Sequence, residues 1–474
     1  MASKKASRWV TNAAVAVLLC GCFDPDDPPV QDTDGGSSSG QETSQPSTTD
    51  PTDSGSTGPS TTNPTNPTTT DSSSTDTSPV TTDPTDSGTE TTAVDDTGTT
   101  TGVEPACGDG SVTAGELCLD VTPNSLMAPP EPVDVAVADL SSNGLLDIAV
   151  VARGANPNTD NRFIVLEADG VGGFIQEQDI SVPPYTSRVR LADMDNDDDP
   201  DVVVNGATIR WLRNQGSFFS NALVYNLTLS AEFDLADAFV ADLDGDGILD
   251  VGFTEAYGRR WVRGVVMNGN WTPGASANIP GPGEGSSGMA VGPASFDGAD
   301  MDPDMILFNQ YYSSGLTILN LGSGNLMTGV DVPLCPADID GVRYGEMADF
   351  NDDGVTDVVV TCMDGDGAVT LGEGAGFGLP TALPLAGAFK PFVADLDGDG
   401  DPDVLMSSRS LDRAVMFIND GAGNFELSDI QFQAPGPVWG AVAADLDDDG
   451  AMDVVVASAP AGMPGRVDVY IAEP

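Results

Sequence analysis

Asp395-Leu396-Asp397-Gly398-Asp399-Gly400-Asp401-Pro402-Asp403, running on into Val404-Leu405-Met406, is the stretch whose reading decides the fold. With Asp395 as position 1, carboxylates stand at positions 1, 3, 5 and 9, and glycine stands at position 6. Alternate residues of a tight loop turn their side chains toward a common centre. An oxygen-only set suits a hard cation such as calcium, which takes six to eight oxygens at roughly 2.3–2.6 Å. Glycine at position 6 permits the sharp bend the loop needs. Position 12 is Met406 and not glutamate, and β-branched or long apolar residues follow in place of a helix, so this is not an EF-hand. The loop joins two strands.

The same loop recurs. An Ala-Asp pair opens it at Asp139, Asp193, Asp242, Asp349, Asp395 and Asp445, and a degenerate copy starts near Ser295 with Asp297, Asp300, Asp302 and Asp304. Successive copies are 54, 49, 53, 54, 46 and 50 residues apart. That period suits a four-stranded propeller blade, and seven blades need roughly 350 residues. Residues 119–474 supply 356. Within one unit, Phe392–Ala394 enters the loop and Val404–Met406 leaves it. Ala414–Ile418 makes a third strand, and Asn419-Asp420-Gly421 turns into Phe425–Leu427. The last unit ends at its third strand, Val467–Ile471, while a segment from Leu117 to Met127 precedes the first loop at fourth-strand distance. That N-terminal segment is predicted to complete the last blade and close the ring. The predicted class is therefore all-β, a seven-bladed propeller of four-stranded blades.

The loops A-D-x-D-x-D-G-x-x-D-V/L at blade spacing resemble the FG-GAP/VCBS repeats of the integrin α-subunit N-terminal propeller and its bacterial relatives. The resemblance covers about three-quarters of the chain. It implies calcium held in hairpin loops on one face of the propeller, structural in role, at about five to six sites. Asp242/Asp244/Asp246/Asp250, Asp395/Asp397/Asp399/Asp403 and Asp445/Asp447/Asp449/Asp453 carry four carboxylates and glycine at position 6. Asp349, Asn351, Asp353 and Asp357 are nearly equivalent, since the Asn carbonyl also ligates. Asp193, Asp195, Asp197 and Asp201 have Asp198 at position 6, a residue type that tolerates left-handed backbone. Asp139, Ser141, Asn143 and Asp147 keep two carboxylates and make the weakest site. The Asp297–Asp304 copy has an inserted residue and is read as irregular.

Composition narrows the function classes. The 474-residue chain has 74 acidic and 17 basic residues, no histidine and a formal charge of −57. Such acidity argues against nucleic acid as a partner. The absence of histidine removes Ser-His-Asp and Cys-His chemistry and disfavours zinc catalysis. Lys4, Lys5 and Arg8 precede an apolar run, Ala13–Leu19, too short to span a membrane as a helix. Leu19-Cys20-Gly21-Cys22 resembles the bacterial lipobox, which implies cleavage after residue 21 and acylation of Cys22. Residue 23 is Phe and not Asp, so the outer membrane, cell-surface side, is the expected location. Residues 22–105 are rich in Thr, Ser, Pro, Asp and Gly and read as a disordered tether.

Four cysteines remain, Cys107, Cys118, Cys335 and Cys362, with three possible connectivities. Cys107-Gly-Asp-Gly-Ser-Val-Thr-Ala-Gly-Glu-Leu-Cys118 resembles the C-G-D-G-x-x-x-x-G-E-x-C modules of myxobacterial exported proteins. The small loop 106–118 is thus expected to close through Cys107–Cys118, leaving Cys335–Cys362. Three functions compete for such a chain: a non-catalytic surface binding or adhesion module, a glycan-binding propeller, and a histidine-free lyase or hydrolase. No acid, base and nucleophile converge in the sequence outside the metal loops. An extracellular protein or polysaccharide is the expected ligand. Trp211, Trp261 and Phe417 on third strands could serve as sugar platforms but read better as core. Arg188, Arg190, Arg210, Arg213, Arg259, Arg260 and Arg263 concentrate cations in the second and third units, either as a patch for an acidic partner or as local charge balance.

Overall fold

The structure, a computed structural model, describes residues 122–473 except 217–218, 229–236, 256–257, 268, 282–285, 292–295, 297–301, 310, 337–340, 364 and 375. Ahead of these it describes residues 9–10, 107, 112–115 and 117–119. The expected signal segment at 1–21 (save Trp9 and Val10), the expected lipidation site Cys22 and the expected tether to residue 105 lie outside the described residues.

The seven blades are antiparallel sheets whose strands follow one another from the axis outward. The sixth blade shows the pattern: Ala388–Ala394, Asp403–Ser408, Arg413–Asn419 and Phe425–Gln433. Its first two strands are in register from Ala394↔Asp403 to Phe392↔Leu405, and the metal loop is the hairpin between them. The corresponding Ala↔Asp pairing opens the hairpins of the first, second, third, fifth and seventh blades. First strands are buried along most of their length because both faces pack on neighbouring blades. Val135 and Val137, for example, are fully buried. First strands touch their neighbours around a complete ring, the seventh against the first included.

Closure follows the predicted route. Asn124–Ala128 pairs antiparallel with Gly465–Tyr470 and supplies the outer strand of the last blade. The bridge Leu119↔Ala472 and the bond from Glu473 N to Cys118 O extend that pairing toward the disulfide loop. The largest apolar cluster crosses the closure, from Leu405 and Met416 through Val455 and Val467 to Val150 and Ile164. No open seam is left between first and last blades. In the uncleaved chain Trp9 and Val10 also lie antiparallel to Ala138 and Val137, a pairing that cleavage after residue 21 would remove. Cys107 is bonded to Cys118 and Cys335 to Cys362.

The ring axis is closed by charge. Four residues before the alanine that opens each hairpin stand Asp134, Arg188, Asp237, Tyr344 and Lys390 in the first, second, third, fifth and sixth blades, all buried. Lys390 Nζ lies 2.8 Å from Asp134 Oδ1 and donates to Val133 O at 2.8 Å and Ser187 O at 3.1 Å. Arg188 lies 3.3 Å from Asp237 and 3.8 Å from Glu346, and Arg190 lies 3.9 Å from Asp237. Burial, opposed in part by Arg190 and Arg188, pushes the Glu346 carboxyl up to about 7. Burial also pulls the Lys390 ammonium down to about 8, although Asp134 resists. Removing one member of a buried pair strands its partner at a cost of about 3–5 kcal/mol. Lys390→Met, which leaves Asp134 buried without its ammonium, is therefore expected to destabilise the propeller by about that amount. Denaturant melts of the two proteins with equal midpoints would contradict this role.

Candidate metal loops

The loops owe their shape to the backbone as much as to any ion. In all six regular copies, Oδ2 of the position-1 aspartate accepts from the backbone N–H of position 6. The donors are Gly144, Asp198, Gly247, Gly354, Gly400 and Gly450, at 2.8–3.2 Å. Position 6 is left-handed throughout, with φ of 99° at Gly400 and 71° at Asp198, so aspartate does tolerate the bend in the second blade.

Position 9 does something the spacing alone did not reveal. Asp147, Asp201, Asp250, Asp357, Asp403 and Asp453 have no exposure to solvent. Each clamps two backbone segments. Oδ2 accepts from position 2, that is Leu140, Met194, Leu243, Phe350, Leu396 or Leu446, at 2.7–3.2 Å. Oδ1 accepts from the end of the third strand, that is Ala168, Asn214, Gly264, Gly372, Asn419 or Ala472, at 2.6–2.9 Å. Asp304 repeats the clamp with Asn320 in the irregular fourth copy. Burial outweighs these donors and raises the carboxyls, Asp147 and Asp250 to about 6, Asp357, Asp403 and Asp453 to about 7, and Asp201 to about 8. The residues at the third-strand ends also link blades. Asn214, Asn320 and Asn419 donate through Nδ2 to Leu140 O, Leu243 O and Phe350 O of the preceding blade at 2.8–2.9 Å. The sequence showed Asn419 only as a turn residue.

Carboxylate oxygens converge within 4.8 Å of one another in four loops: Asp193/Asp195/Asp197, Asp242/Asp244/Asp246, Asp395/Asp397/Asp399 and Asp445/Asp447/Asp453. These clusters can hold a metal ion. The donor set is oxygen only, and Asp395 Oδ1 and Asp244 Oδ1 are buried with no hydrogen-bond partner among the described residues.

The converging sets differ from the expected ones at several positions. In the seventh loop Asp449, expected as the position-5 ligand, is not part of the group, and the buried Asp453 stands in its place. Asp449 accepts the same turn bond as its counterparts Asp246 and Asp399. Its Oδ1 accepts from Ala451 N at 2.9 Å, while its backbone N–H donates to Asp445 Oδ1 at 3.1 Å. In the second, third and sixth loops the reverse holds. Asp201, Asp250 and Asp403 stay outside the groups, although their backbone clamp is the one that Asp453 also makes. Asp349, Asp353 and Asp357 of the fifth loop show no such convergence, and there Asn351 Nδ2 donates to Asp353 Oδ2 at 3.1 Å. Asp139 and Asp147 of the first loop form no three-carboxylate group either, since Ser141 and Asn143 bring none. Glu167 approaches that loop from the third strand and accepts from Asn143 Nδ2 at 3.3 Å, returning one carboxylate.

The residue before each third-strand end separates the loops further. In the second and third blades it is an arginine that forks onto positions 3 and 5. Arg213 lies 2.7 Å from both Asp195 and Asp197, and Arg263 lies 2.7 Å from Asp244 and 2.6 Å from Asp246. The equivalent residues in the fifth, sixth and seventh blades are Leu371, Ile418 and Ile471, which leave the carboxylates to one another. These positions also show that the seven cations between Arg188 and Arg263 form no single patch. Arg188 and Arg190 are at the axis, Arg213 and Arg263 are in the loops, and Arg259 is buried. Trp211, Trp261 and Phe417 are likewise buried core residues.

The disulfide loop covers the sixth and seventh metal loops. Gly115 N donates to Asp397 O at 2.9 Å, and Val112 rests against Gly398 and Gly450. Between them is a cavity of about 80 Å³ lined in part by Leu117, Asp395, Asp397 and Met452.

Residues 139–204, 349–406 and 395–456 match the model of the FG-GAP-like repeat. The chain carries FG-GAP-like repeats. The matched segments hold the first, second, fifth, sixth and seventh metal loops. No curated protein matches the sequence. Solved structures similar to this repeat protein include an Agrocybe aegerita lectin described for specific recognition of non-reducing terminal N-acetylglucosamine. It is 20% identical, with 64% of this chain and 80% of that chain covered and a TM-score of 0.44. They also include BBS1N in complex with ARL6DN, in crystals soaked with lead and with mercury. These are 13% and 14% identical, each covering 77% of this chain and 98% of that chain with a TM-score of 0.47.

Proposed function

We propose that this FG-GAP-repeat propeller is a calcium-stabilised, non-catalytic binding module, held at the outer surface of a bacterial outer membrane through lipid on Cys22 and spaced from it by residues 22–105. The observation that carries the reading is the repeated loop. Its oxygen-only clusters suit calcium, and buried oxygens such as Asp395 Oδ1 lack any other partner among the described residues. A cation there ties hairpins of a rigid ring and leaves the opposite face to meet a ligand. Fold does not supply function, and the chemistry on view is that of a support and not of a reaction centre: the carboxylates serve loops and backbone clamps, and the axial charges pair with one another.

Two measurements test this. Fatty-acid labelling is expected to mark the wild-type protein and not Cys22→Ala, whose labelling at wild-type level would exclude the anchor. Pull-down from outer-membrane and extracellular fractions is expected to recover a protein or polysaccharide in calcium and lose it in chelator. Turnover of a polysaccharide by the purified protein would replace the binding reading with the lyase or hydrolase alternative.

A further inference from the structure

The face opposite the metal loops carries an arginine cluster with no carboxylate in ion-pair contact among the described residues, the Glu131 carboxyl acting on Arg409 only at longer range. Arg153 and Arg409 occupy one register, just past the second strands Asp147–Ala152 and Asp403–Ser408. Their backbone N–H groups donate to Glu131 O and Gly387 O, as Met363 and Ala459 donate to Gly341 O and Pro437 O in the fifth and seventh blades. Arg343, Phe389 and Trp439 share a second register, each the second residue of a first strand. These positions lie at the ends of the strands away from the loops, on the contiguous blades five, six, seven and one.

The side chains meet there. The Arg409 guanidinium lies 3.9 Å from the Trp439 ring centre and 4.9 Å from that of Phe389. Arg153 lies 5.5 Å from Trp439, and Arg343 lies 5.4 Å from Phe389. The two rings pack edge to face at 5.2 Å. Backbone carbonyls steady two of the arginines: Arg153 Nε donates to Thr186 O at 2.9 Å and an Arg343 terminal nitrogen to Met363 O at 3.2 Å. No carboxylate comes within 4.0 Å of any of the three guanidinium groups among the described residues, although acids outnumber bases more than four to one in the chain. Arg343 Nε, Arg409 Nε and Trp439 Nε1 are buried and make no hydrogen bond among the described residues. Burial, followed by repulsion from Arg343 and Arg153, lowers the Arg409 pKa. Stacking on the rings fixes the guanidinium planes and leaves donor edges unmet.

We propose that this cluster binds a carboxylate carried on a sugar ring, that is, a uronate residue of an acidic polysaccharide. The part-exposed guanidinium groups of Arg153, Arg343 and Arg409 offer only donors, so the ligand group that meets them presents acceptors. A planar carboxylate matches the guanidinium fork, and the apolar face of a pyranose lies naturally against the part-exposed indole of Trp439. The proposal rests on the reading of the propeller as a binding module and names its ligand class and face.

The test is titration of the mature protein, in calcium, with D-glucuronate and D-galacturonate, followed by tryptophan fluorescence and calorimetry. D-glucose, acetate and N-acetylglutamate serve as controls. The uronates are expected to give saturable binding that glucose does not. Arg409→Lys, which keeps the charge and stem but loses the fork, and Arg343→Ala are expected to weaken binding at least about tenfold. Arg260→Ala, on the third blade, is expected to bind as the wild type does. Absence of uronate binding, or binding undiminished in the Arg343 and Arg409 variants, would overturn the site. Acetate or N-acetylglutamate binding as tightly as the uronates would overturn the sugar assignment. Calcium-dependent melting of the same samples separates either failure from failure of the proposed function.

Discussion

A chain lacking residues 107–130 is expected not to fold into a cooperative propeller. Asn124–Ala128 is the partner of the outer edge of Gly465–Tyr470, and its removal leaves that strand's ladder groups unpaired. Each lost ladder bond costs about 1 kcal/mol net. Val467 and Val469, now fully buried, would lose up to about 1.5–3 kcal/mol each if uncovered. Asp468, without solvent exposure, would also lose the Ser125 hydroxyl that donates to it at 2.7 Å. These terms together approach the roughly 5–15 kcal/mol that separates a native domain from its unfolded state. The damage would not stay local, because the apolar cluster beneath the strand is continuous with the first and sixth blades. Circular dichroism and thermal melting of the truncated chain check this. A sharp transition at the full-length temperature would mean that the N-terminal strand is an ornament and not the closure.

Much of this architecture could be read from the sequence because the loop enforces its own spacing. A 1-3-5-9 carboxylate pattern with a left-handed residue at position 6 tolerates no slip, so Asp139 through Asp445 mark the blade period, and a missing fourth strand after Ile471 points to the N-terminus. The role of position 9 stayed hidden for a physical reason. A metal ligand and a buried backbone clamp place the same demand on the sequence, an aspartate at one offset from the loop, and only the bonds from Leu396 and Asn419 to Asp403 separate them. Which carboxylates converge in the seventh loop was not legible for a related reason: spacing fixes which residues can face a centre, but not which of them do. Arg213 and Arg263 looked like part of a surface patch because their carboxylates lie sixteen to nineteen residues earlier, across two strands. The axial pairs were less visible still. Lys390 and Asp134 belong to different blades, and their shared offset from the Ala-Asp pair becomes meaningful only once the first strands are known to face one axis. The uncompensated arginines Arg153, Arg343 and Arg409 are single, widely separated residues that no composition window detects.

Removal of calcium is the second large effect expected. Three carboxylates within 4.8 Å of one another repel by about 1 kcal/mol per pair in water and by several at the effective dielectric of a protein surface. The arginine forks relieve this in the second and third blades, whereas the sixth and seventh have only aliphatic neighbours at that position. Each site at a hundredfold excess of free calcium over its dissociation constant adds about 2.7 kcal/mol to the folded state. Several such sites in a chain of this length correspond to a rise in Tm on the order of 10 °C. The shift is expected to be carried mainly by the sixth and seventh loops. Asp395→Asn with Asp445→Asn should therefore remove more of it than Asp139→Asn. The direct measurement is scanning calorimetry of the mature protein in millimolar calcium and in excess chelator. The account predicts a chelated Tm lower by that order and restored when calcium is returned; superimposable transitions in the two buffers would contradict it.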